Sequence, residues 1–408
     1  MAMDPVVVVG AGPAGASVAL LLSRRGLPVV LVEAASQFAR QFRGEGLMPH
    51  GLAALEAMDL GAVIATVPHR PLTGWRFCLD GQPLFRVAEP LEGEGHPACT
   101  LVHQPALLEA LVALVRQQPQ ARVRLGERVS DLVQEGGRIR GVRLASGETL
   151  RSSLVLACDG RQSRLRQLAG LQLESAGSPI DVLWFLLGDG DPGAALPLGG
   201  DFLTALGPEG LFSAFGSANG GLQMGWVLDA EAPTPALTPQ AWCQRMARQS
   251  PPDLRHWLQR EPCLAAEPVR LRVEVGLAPC WWRPGLLLLG DAAHPMSPVR
   301  AQGINLALRD ACVAGHLLGE ALRRGPADPD ALDAVLARIE ALRRGETLTL
   351  QRLQAREAGR GLLLQRQPLL RSLLAAAAPW VGPALARHWS HSQKPLRLGL
   401  GNLEEARQ

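Results

Sequence analysis

Four valines at residues 6–9 form a short, wholly apolar run that passes straight into glycines, the pattern of a strand covered on both faces. A helix is expected over residues 14–25, and a second apolar run, PVVLVE at 28–33, completes a βαβ unit of ordinary size. SLVLA at 153–157 and LLLL at 286–289 repeat the arrangement, a short apolar strand ending in a polar turn that opens a helix, so three distant segments read as parts of one doubly wound sheet. Between them the hydrophobic period falls to two. GWRFCLDGQPLFRV sets Asp80-Gly81 between two short alternations, a hairpin signature. Residues 181–187, 202–206, 211–215, 222–228 and 269–275 also alternate or run apolar between Gly, Pro and Asp, as an antiparallel sheet does. From 326 to about 389 the composition is helical, and Pro368, Pro379 and Pro383 are expected to cut the apolar tail into short helices too broken to span a membrane. The fold class is therefore α/β: a Rossmann-like, doubly wound and mostly parallel sheet, an inserted antiparallel-sheet domain, and C-terminal helices. The expected divisions are 1–72, 97–178 and 276–325 for the doubly wound unit, 73–96 and 179–275 for the inserted sheet, and 326–408 for the helical region.

Composition narrows the class. A chain of 408 residues, 47% hydrophobic, can bury a large core in two or three domain-sized units. Its 41 basic and 38 acidic residues are scattered, giving +3 with no like-charged block to track a polyanion, so nucleic acid is not an expected partner. The seven cysteines at 78, 99, 158, 243, 263, 280 and 312 contain no CxxC and no metal-ligand spacing, which disfavours a disulfide reductase or a metal site. Residues 5–23 are uncharged, but glycines interrupt them and Asp4 precedes them, so neither a signal peptide nor an anchor is expected, and the odd cysteine count suits a reducing cytoplasm. The apolar C-terminal helices suit a packing or homodimer surface in preference to a patch that rests on lipid; monomer and homodimer both remain open.

The chemistry begins at GAGPAG, residues 10–15, between the first strand and its helix. Gly10, Gly12 and Gly15 serve a tight turn, close approach of backbone to a pyrophosphate, and close packing of helix on strand; Pro13 and Ala14 stand between them at a helix start that offers free N–H groups to an anion. Glu33 ends the second strand about 20 residues on, where a carboxylate accepts the hydroxyls of an adenosine ribose. Such a turn is weak evidence alone and strong in this context. Only one such fingerprint exists, which leaves an NAD enzyme or a flavoprotein with a single nucleotide domain.

Two further motifs choose between them. LVLACDGRQSRLR spans 154–166, and GLLLLGDAAHPMSPVRAQGINLALRDA spans 285–311. With GAGPAG they resemble, in order and spacing over residues 5–325, the ordered triplet of the single-component FAD-dependent aromatic hydroxylases, the group typified by p-hydroxybenzoate hydroxylase. That resemblance implies FAD as cofactor, NADH or NADPH as electron donor, oxygen added at flavin C4a, and transfer of one oxygen atom to an aromatic, quinone-like or polyketide-like small molecule. It also implies roles for Asp159 and Gly160 under the pyrophosphate, and for Arg166 toward FAD and nicotinamide. Arg43 and Gln104 match positions that touch the flavin or its phosphates. Independently of the family, a strand ending in Gly290-Asp291 puts a carboxylate at the sheet's carboxyl edge, where it can hold a ribityl hydroxyl. Gly303, Ile304 and Asn305 open a helix whose positive end faces an electron-rich ring. By similarity, Pro298 lies against that ring.

No triad or carboxylate pair stands out, and none is required when a cofactor supplies the hard chemistry. Pro298, Arg300 and His50 are the catalytic candidates. Arg300 can stabilise flavin charge, hold an acidic substrate group or point to solvent, and solvent is favoured. With no tyrosine in the chain, a phenol-activating base has to be a histidine, an acid or a water chain; His50, His103 and His294 come from cofactor-proximal segments, and a structural role is favoured for each. Trp184, Phe202, Phe212, Phe215, Met224 and Trp226 are candidates for the apolar substrate wall, about half of them expected to be plain core. Two other flavoenzymes compete. A halogenase needs a lysine by its tunnel, whereas Lys394 is this chain's sole lysine; a geranylgeranyl-reductase-like enzyme is the more serious rival, although its motif normally lacks the His294-Pro295 pair. A non-catalytic flavin- or lipid-binding protein is the alternative from outside enzymology.

Overall fold

Val6–Val9 is fully enclosed, pairing in parallel with Val29–Glu33 on one side and Leu154–Ala157 on the other. The computed structural model describes residues 4–38, 45–93, 95–175, 180–188, 196–260, 268–323 and 328–401. Around the first strand runs a six-stranded sheet in the order Trp282–Arg283, Leu286–Leu288, Leu154–Ala157, Val6–Val9, Val29–Glu33, Ala121–Leu125, parallel except at the Trp282–Arg283 edge. Helix α1 (Pro13–Arg24) lies on it, buried along nearly its whole length. Its neighbour across the packing seam carries Gly315, where a Cβ would come within 2.5 Å of Leu21 Cδ1, so glycine there lets two helices approach over a flat apolar face. Helices α2 (Pro49–Ala57), α3 (Gln104–Arg116) and the short α4 (Arg164–Leu168) complete this unit. An antiparallel meander of Val129–Glu135, Arg138–Leu144 and Thr149–Arg151 hangs from it. The edge strand Ala121–Leu125 and the meander are rich in Arg and Glu, so their apolar signal is too thin to announce them in the sequence.

The inserted sheet has seven strands in the order Val269–Leu271, Ile180–Leu187, Leu222–Asp229, Gly210–Gly216, Asp201–Gly207, Gly74–Leu79, Gln82–Ala88. All neighbours are antiparallel except Asp201–Gly207 with Gly74–Leu79. The Asp80-Gly81 turn has φ of 50° and 77°, the left-handed pair a two-residue hairpin needs. The strand expected over 269–275 stops at Leu271, because the Val273 N–H donates to Asp181 Oδ1 instead of to a neighbouring strand. One face of the sheet, with Leu183, Phe185, Leu203, Ala205, Phe212, Met224 and Trp226, packs on helices α5 (Pro239–Arg248) and α6 (Pro252–Arg260). The opposite face turns Trp75, Phe77, Trp184, Phe202 and Phe215 toward the nucleotide unit.

Three long helices close the molecule: α7 (Gln302–Arg323), α8 (Pro329–Arg366) and α9 (Pro368–Leu398). The expected fragmentation of the tail is corrected here. Pro368 does begin a new helix, but Pro379 and Pro383 lie inside the continuous 31-residue α9. An interior proline costs about 3 kcal/mol in an isolated helix; tertiary contacts to the hairpin outweigh that cost. Arg371 Nε donates to Asp80 Oδ1 at 2.6 Å, Arg397 Nη2 to Glu89 Oε2 at 3.0 Å, and Gly382 sits so close to the Leu84 carbonyl that a Cβ would come within 2.6 Å. By length and composition α9 could cross a bilayer, so the view that the tail is too broken for that is also withdrawn. Leu369, Leu373 and Trp380 on it are exposed.

Candidate active site

The two units face each other across a continuous cavity of about 2080 Å³. At one end stands the glycine turn. Gly10 has φ of 100°, and a Cβ there would come within 2.3 Å of the Cys158 carbonyl oxygen; a Cβ on Gly15 would come within 1.8 Å of the Gly10 oxygen. Both glycines are thus demanded by close backbone packing. Gly12 is different: a Cβ would meet nothing within 4 Å, and Gly12 caps α1 without any side-chain hydrogen bond. Open space in front of an uncapped helix start, with no acid in its first turn, is a cradle for an anion. Gly10, Gly12, Pro13 and Ala14 line the cavity, while Gly15 packs behind them. Glu33 lines it too, its carboxylate fixed by Ala11 N–H at Oε2 and Ala35 N–H at Oε1, both at 2.8 Å. A pyrophosphate at the helix end and a ribose at Glu33 suit this donor set, so the residues fit an adenine dinucleotide.

The second motif divides its labour differently from expectation. Asp159 and Gly160 line the cavity; the Asp159 carboxylate accepts the Ser163 hydroxyl at 2.5 Å and the Leu165 N–H at 3.0 Å, while burial raises its pKa. Arg166 does not line it. Its guanidinium is buried and donates to the Ala292 and Arg161 carbonyls, bracing the Asp291 turn from behind. Arg161, overlooked in the sequence although it directly follows Asp159-Gly160, lines the cavity instead and stands 3.7 Å from Asp291 Oδ2. Gly290, Asp291, Pro298, Gly303 and Ile304 all line the cavity around the start of α7. Asn305 does not: wholly buried, it accepts the Met48 N–H and donates to the Gly46 and Ala301 carbonyls, stitching α2 and the residue 45–48 segment to α7. Gln104 at the start of α3 lines the cavity; Arg43 lies outside the described residues.

Strand alternation sorts the aromatic candidates. Trp184, Phe202 and Phe215 face the cavity, with Phe202 and Phe215 stacked at 5.2 Å. Met224 and Trp226 do not; they lie one residue out of phase, on the face that packs against α5. Phe212 touches the lining but stacks flat on Trp226 at 5.8 Å within that outer cluster. Trp75 and Phe77 of the hairpin and Trp389 of α9 supply the aromatic wall that the list of candidates missed; a period-two reading that fixed Trp75 as inward would have found the first two.

Arg300 points inward, not to solvent. Its side chain is 7% exposed, its guanidinium lies 5.0 Å over Trp75, 5.5 Å over Phe77 and 4.9 Å over Trp389, and its Nε donates to Glu357 Oε1 at 2.8 Å. The backbone is left-handed at Arg300 and Ala301, with φ of 57° and 49°. Such a turn is costly for residues with a Cβ and persists when neighbours hold it. They do: Gln354 of α8 donates to the Ser297 and Val299 carbonyls, and Gln302 to the Arg300 and Leu396 carbonyls. The C-terminal helices therefore shape the loop that carries Pro298.

His50 is excluded as a base facing the cavity. It is 2% exposed and off the lining; burial, seconded by Arg309, pushes its pKa down to about 3, so the ring is neutral. His294 Nε2–H donates to Asp310 Oδ2 (2.6 Å), a carboxylate that also accepts the Gly290 N–H and the Arg343 guanidinium, so this histidine supports the turn behind Asp291. His103 caps α3. Glu45, which sequence reasoning passed over beside Arg43, is one of the titratable groups that line the cavity, with Glu33, Asp159, Asp291, Glu357 and His388. It is 5% exposed and accepts hydrogen bonds from Ser217 Oγ, the Ala218 N–H and Gln223 Nε2. Burial raises its pKa to about 7 against the pull of those donors.

A family model described as an FAD binding domain matches residues 3–348. The 6-methylpretetramide 4-monooxygenase of Streptomyces rimosus is 33% identical over 395 residues, covering 91% of each chain. The protoasukamycin 4-monooxygenase of Streptomyces nodosus subsp. asukaensis is 28% identical over 375 residues, covering 86% of each. The crystal structure of p-nitrophenol 4-monooxygenase PnpA from Pseudomonas putida DLL-E4 has the same fold, with a TM-score of 0.78 over 98% of this chain and 99% of that one at 20% identity.

Proposed function

The chain belongs to this family of FAD-binding-domain proteins, and from that premise we propose that it is an FAD-dependent monooxygenase which hydroxylates a phenolic, multi-ring small molecule of the aromatic polyketide kind, with NADH or NADPH as electron donor. The observation that carries the proposal is the continuity of one cavity from the α1 anion cradle, past Asp291 and Pro298, to an aromatic wall. A pocket for one small ligand is typically several hundred Å³; about 2080 Å³ accommodates a dinucleotide and a large flat substrate end to end.

When bound, the flavin supplies the activation and transfer of oxygen, which no side chain of the chain can perform. The residues do the rest. The α1 N-terminus would hold the pyrophosphate, Glu33 the adenosine ribose, Asp291 a ribityl hydroxyl, and the start of α7, free of acids in its first turn, would favour negative charge on the ring edge. Trp184, Phe202 and Phe215 offer flat apolar surface that orients fused rings and excludes water from the reacting carbon. The reading divides the chain into a nucleotide unit of 1–72, 97–178 and 276–325, a substrate sheet of 73–96 and 179–275, and a helical closure of 326–408.

The test is a substrate panel on the purified, FAD-loaded protein. Hydroxylated anthraquinones and tetracene-type phenols are expected to accelerate NAD(P)H oxidation and to leave with one oxygen atom derived from labelled O2. Equal turnover without oxygen, giving a product richer by two hydrogens, would instead establish the reductase reading.

A further inference from the structure

We propose that Glu45 is the proton acceptor for an ionisable hydroxyl of the substrate, a role that rests on the hydroxylase reading above and adds to it the group that activates the ring. The argument starts from position. Glu45 lies on the cavity wall directly before Gly46, whose missing Cβ lets the Ala301 methyl approach to within 3.1 Å of where a Cβ would be. The backbone that carries Glu45 therefore runs next to the loop of Pro298 and Arg300, and its carboxylate reaches the substrate sheet at Ser217, Ala218 and Gln223. Ser217 and Ala218, just past the end of Gly210–Gly216, and Gln223 on Leu222–Asp229 hold it at 3.1, 3.2 and 2.7 Å.

A carboxylate has about four acceptor positions. Ser217 Oγ lies 3.1 and 3.3 Å from the two oxygens but has one hydrogen to give, so with the Ala218 N–H and Gln223 Nε2 three hydrogens are donated and one acceptor position is left for a hydroxyl arriving from the cavity. Charge around it is equally telling. On the elements packed against it, Arg300 is held by Glu357, Arg70 of His69–Pro71 lies beside Gly216, and His103 follows the strand whose Val102 N–H donates to the Glu45 carbonyl. Among the described residues none of these forms an ion pair with Glu45. A buried acid with hydrogen-bond donors and, among the described residues, no paired cation takes up a proton near neutrality, which is what a base for a phenol requires. A purely structural clasp would be served better by a paired acid, as Asp310 is by Arg343 and His294.

The step is a proton transfer. The substrate O–H bond breaks, the proton moves to a Glu45 carboxylate oxygen, and the electron pair stays on the substrate oxygen and spreads to the ortho and para carbons. No oxidant or reductant enters; the ring becomes electron-rich for the oxygen transfer that follows, and the proton returns to the product.

The experiment compares FAD-loaded wild type with Glu45→Gln and Glu45→Asp, using a hydroxyanthraquinone that the wild type hydroxylates. Glu45→Gln is expected to keep flavin content and the rate of flavin reduction by NAD(P)H within about twofold, yet to lose about 100-fold in product formed per NAD(P)H, with the oxygen recovered as hydrogen peroxide. Wild-type product yield should rise with pH through about 7, as Glu45 loses its proton; Glu45→Asp should restore part of the yield, and Glu45→Gln should lack that limb. Infrared difference spectra provide a readout apart from turnover: at pH about 8, where Glu45 is ionised and a simple phenol is still protonated in solution, binding phenol should raise a carboxylic-acid carbonyl band in wild type and none in Glu45→Gln. Product yield and pH limb unchanged in Glu45→Gln overturn the proposal alone. A wild type that consumes no oxygen with any phenol removes the function reading, and this inference with it.

Discussion

Replacing Arg300 with methionine tests whether the C-terminal helices govern the site, because this one side chain joins the loop of Pro298 to the hairpin, α8 and α9. The ion pair with Glu357 is neither fully buried nor free, at 7% and 24% side-chain exposure. Exposed pairs are worth about 0–1 kcal/mol and removal of one partner of a buried pair costs about 3–5, so an intermediate value of about 2 kcal/mol is reasonable. The rings of Trp75 and Trp389 lie about 5 Å from the guanidinium carbon and add about 0.5–1 kcal/mol each. Arg300→Met is therefore expected to cost about 3 kcal/mol, although methionine fills most of the space. Arg300→Lys should cost roughly half, since an ammonium keeps the charge but neither stacks as a plane nor donates from a fork. Chemical denaturation of the FAD-loaded protein measures the loss, and a cycle with Glu357→Gln isolates the pair, with a coupling of about 2 kcal/mol. Because the loop would relax from its left-handed turn, KM for the substrate should rise while FAD affinity stays near its starting value. A coupling near zero, or unchanged KM, would refute the view that this contact holds the loop.

Other consequences are simpler to check. Gly15→Ala places a methyl within 1.8 Å of the Gly10 oxygen, so α1 must shift; flavin affinity in a fluorescence titration should fall by at least about 100-fold, and a smaller loss would mean that the turn can yield. His50, held near 3 against about 6.5 in the unfolded chain, binds its proton preferentially when unfolded, so its contribution is intact above pH 6.5 and is lost as pH falls toward 3 at about 1.4 kcal/mol per unit. Urea midpoints across that range should show the slope in wild type and a shallower one in His50→Gln. Trp226→Ala should destabilise by about 3–5 kcal/mol with KM unchanged, whereas Phe202→Ala should raise KM with a smaller stability loss; the reverse pattern would show that the sheet faces are assigned the wrong way round.

Local pattern alone determined the cofactor half of this protein. A four-residue apolar strand, a glycine turn whose Gly10 and Gly15 leave no room for a side chain, and a carboxylate at the end of the next strand are short-range features, and each is forced by backbone sterics or by the geometry of one βαβ unit. Asp291 and the start of α7 were legible for the same reason. The hairpin was as well, since Asp80-Gly81 needs only its own φ values. Which side chains meet across the cavity was not legible. Arg166 and Asn305 occupy motif positions yet turn to brace their neighbours, and Met224 and Trp226 share a sheet with Phe215 yet sit on its other face, because strand register and the packing of α5 decide the direction. The unbroken α9 belongs with these: prolines argue locally for a break, and contacts to Asp80, Leu84 and Glu89, hundreds of residues away, outweigh them. Arg300 and Glu45 acquire their character only from such distant partners, Glu357 and three aromatic rings for the first, Ser217 and Gln223 for the second. Sequence thus specified what the chain can bind along its own backbone; tertiary structure alone decided what surrounds the reacting end, because burial and charge pairing there are set by residues that only the fold brings together.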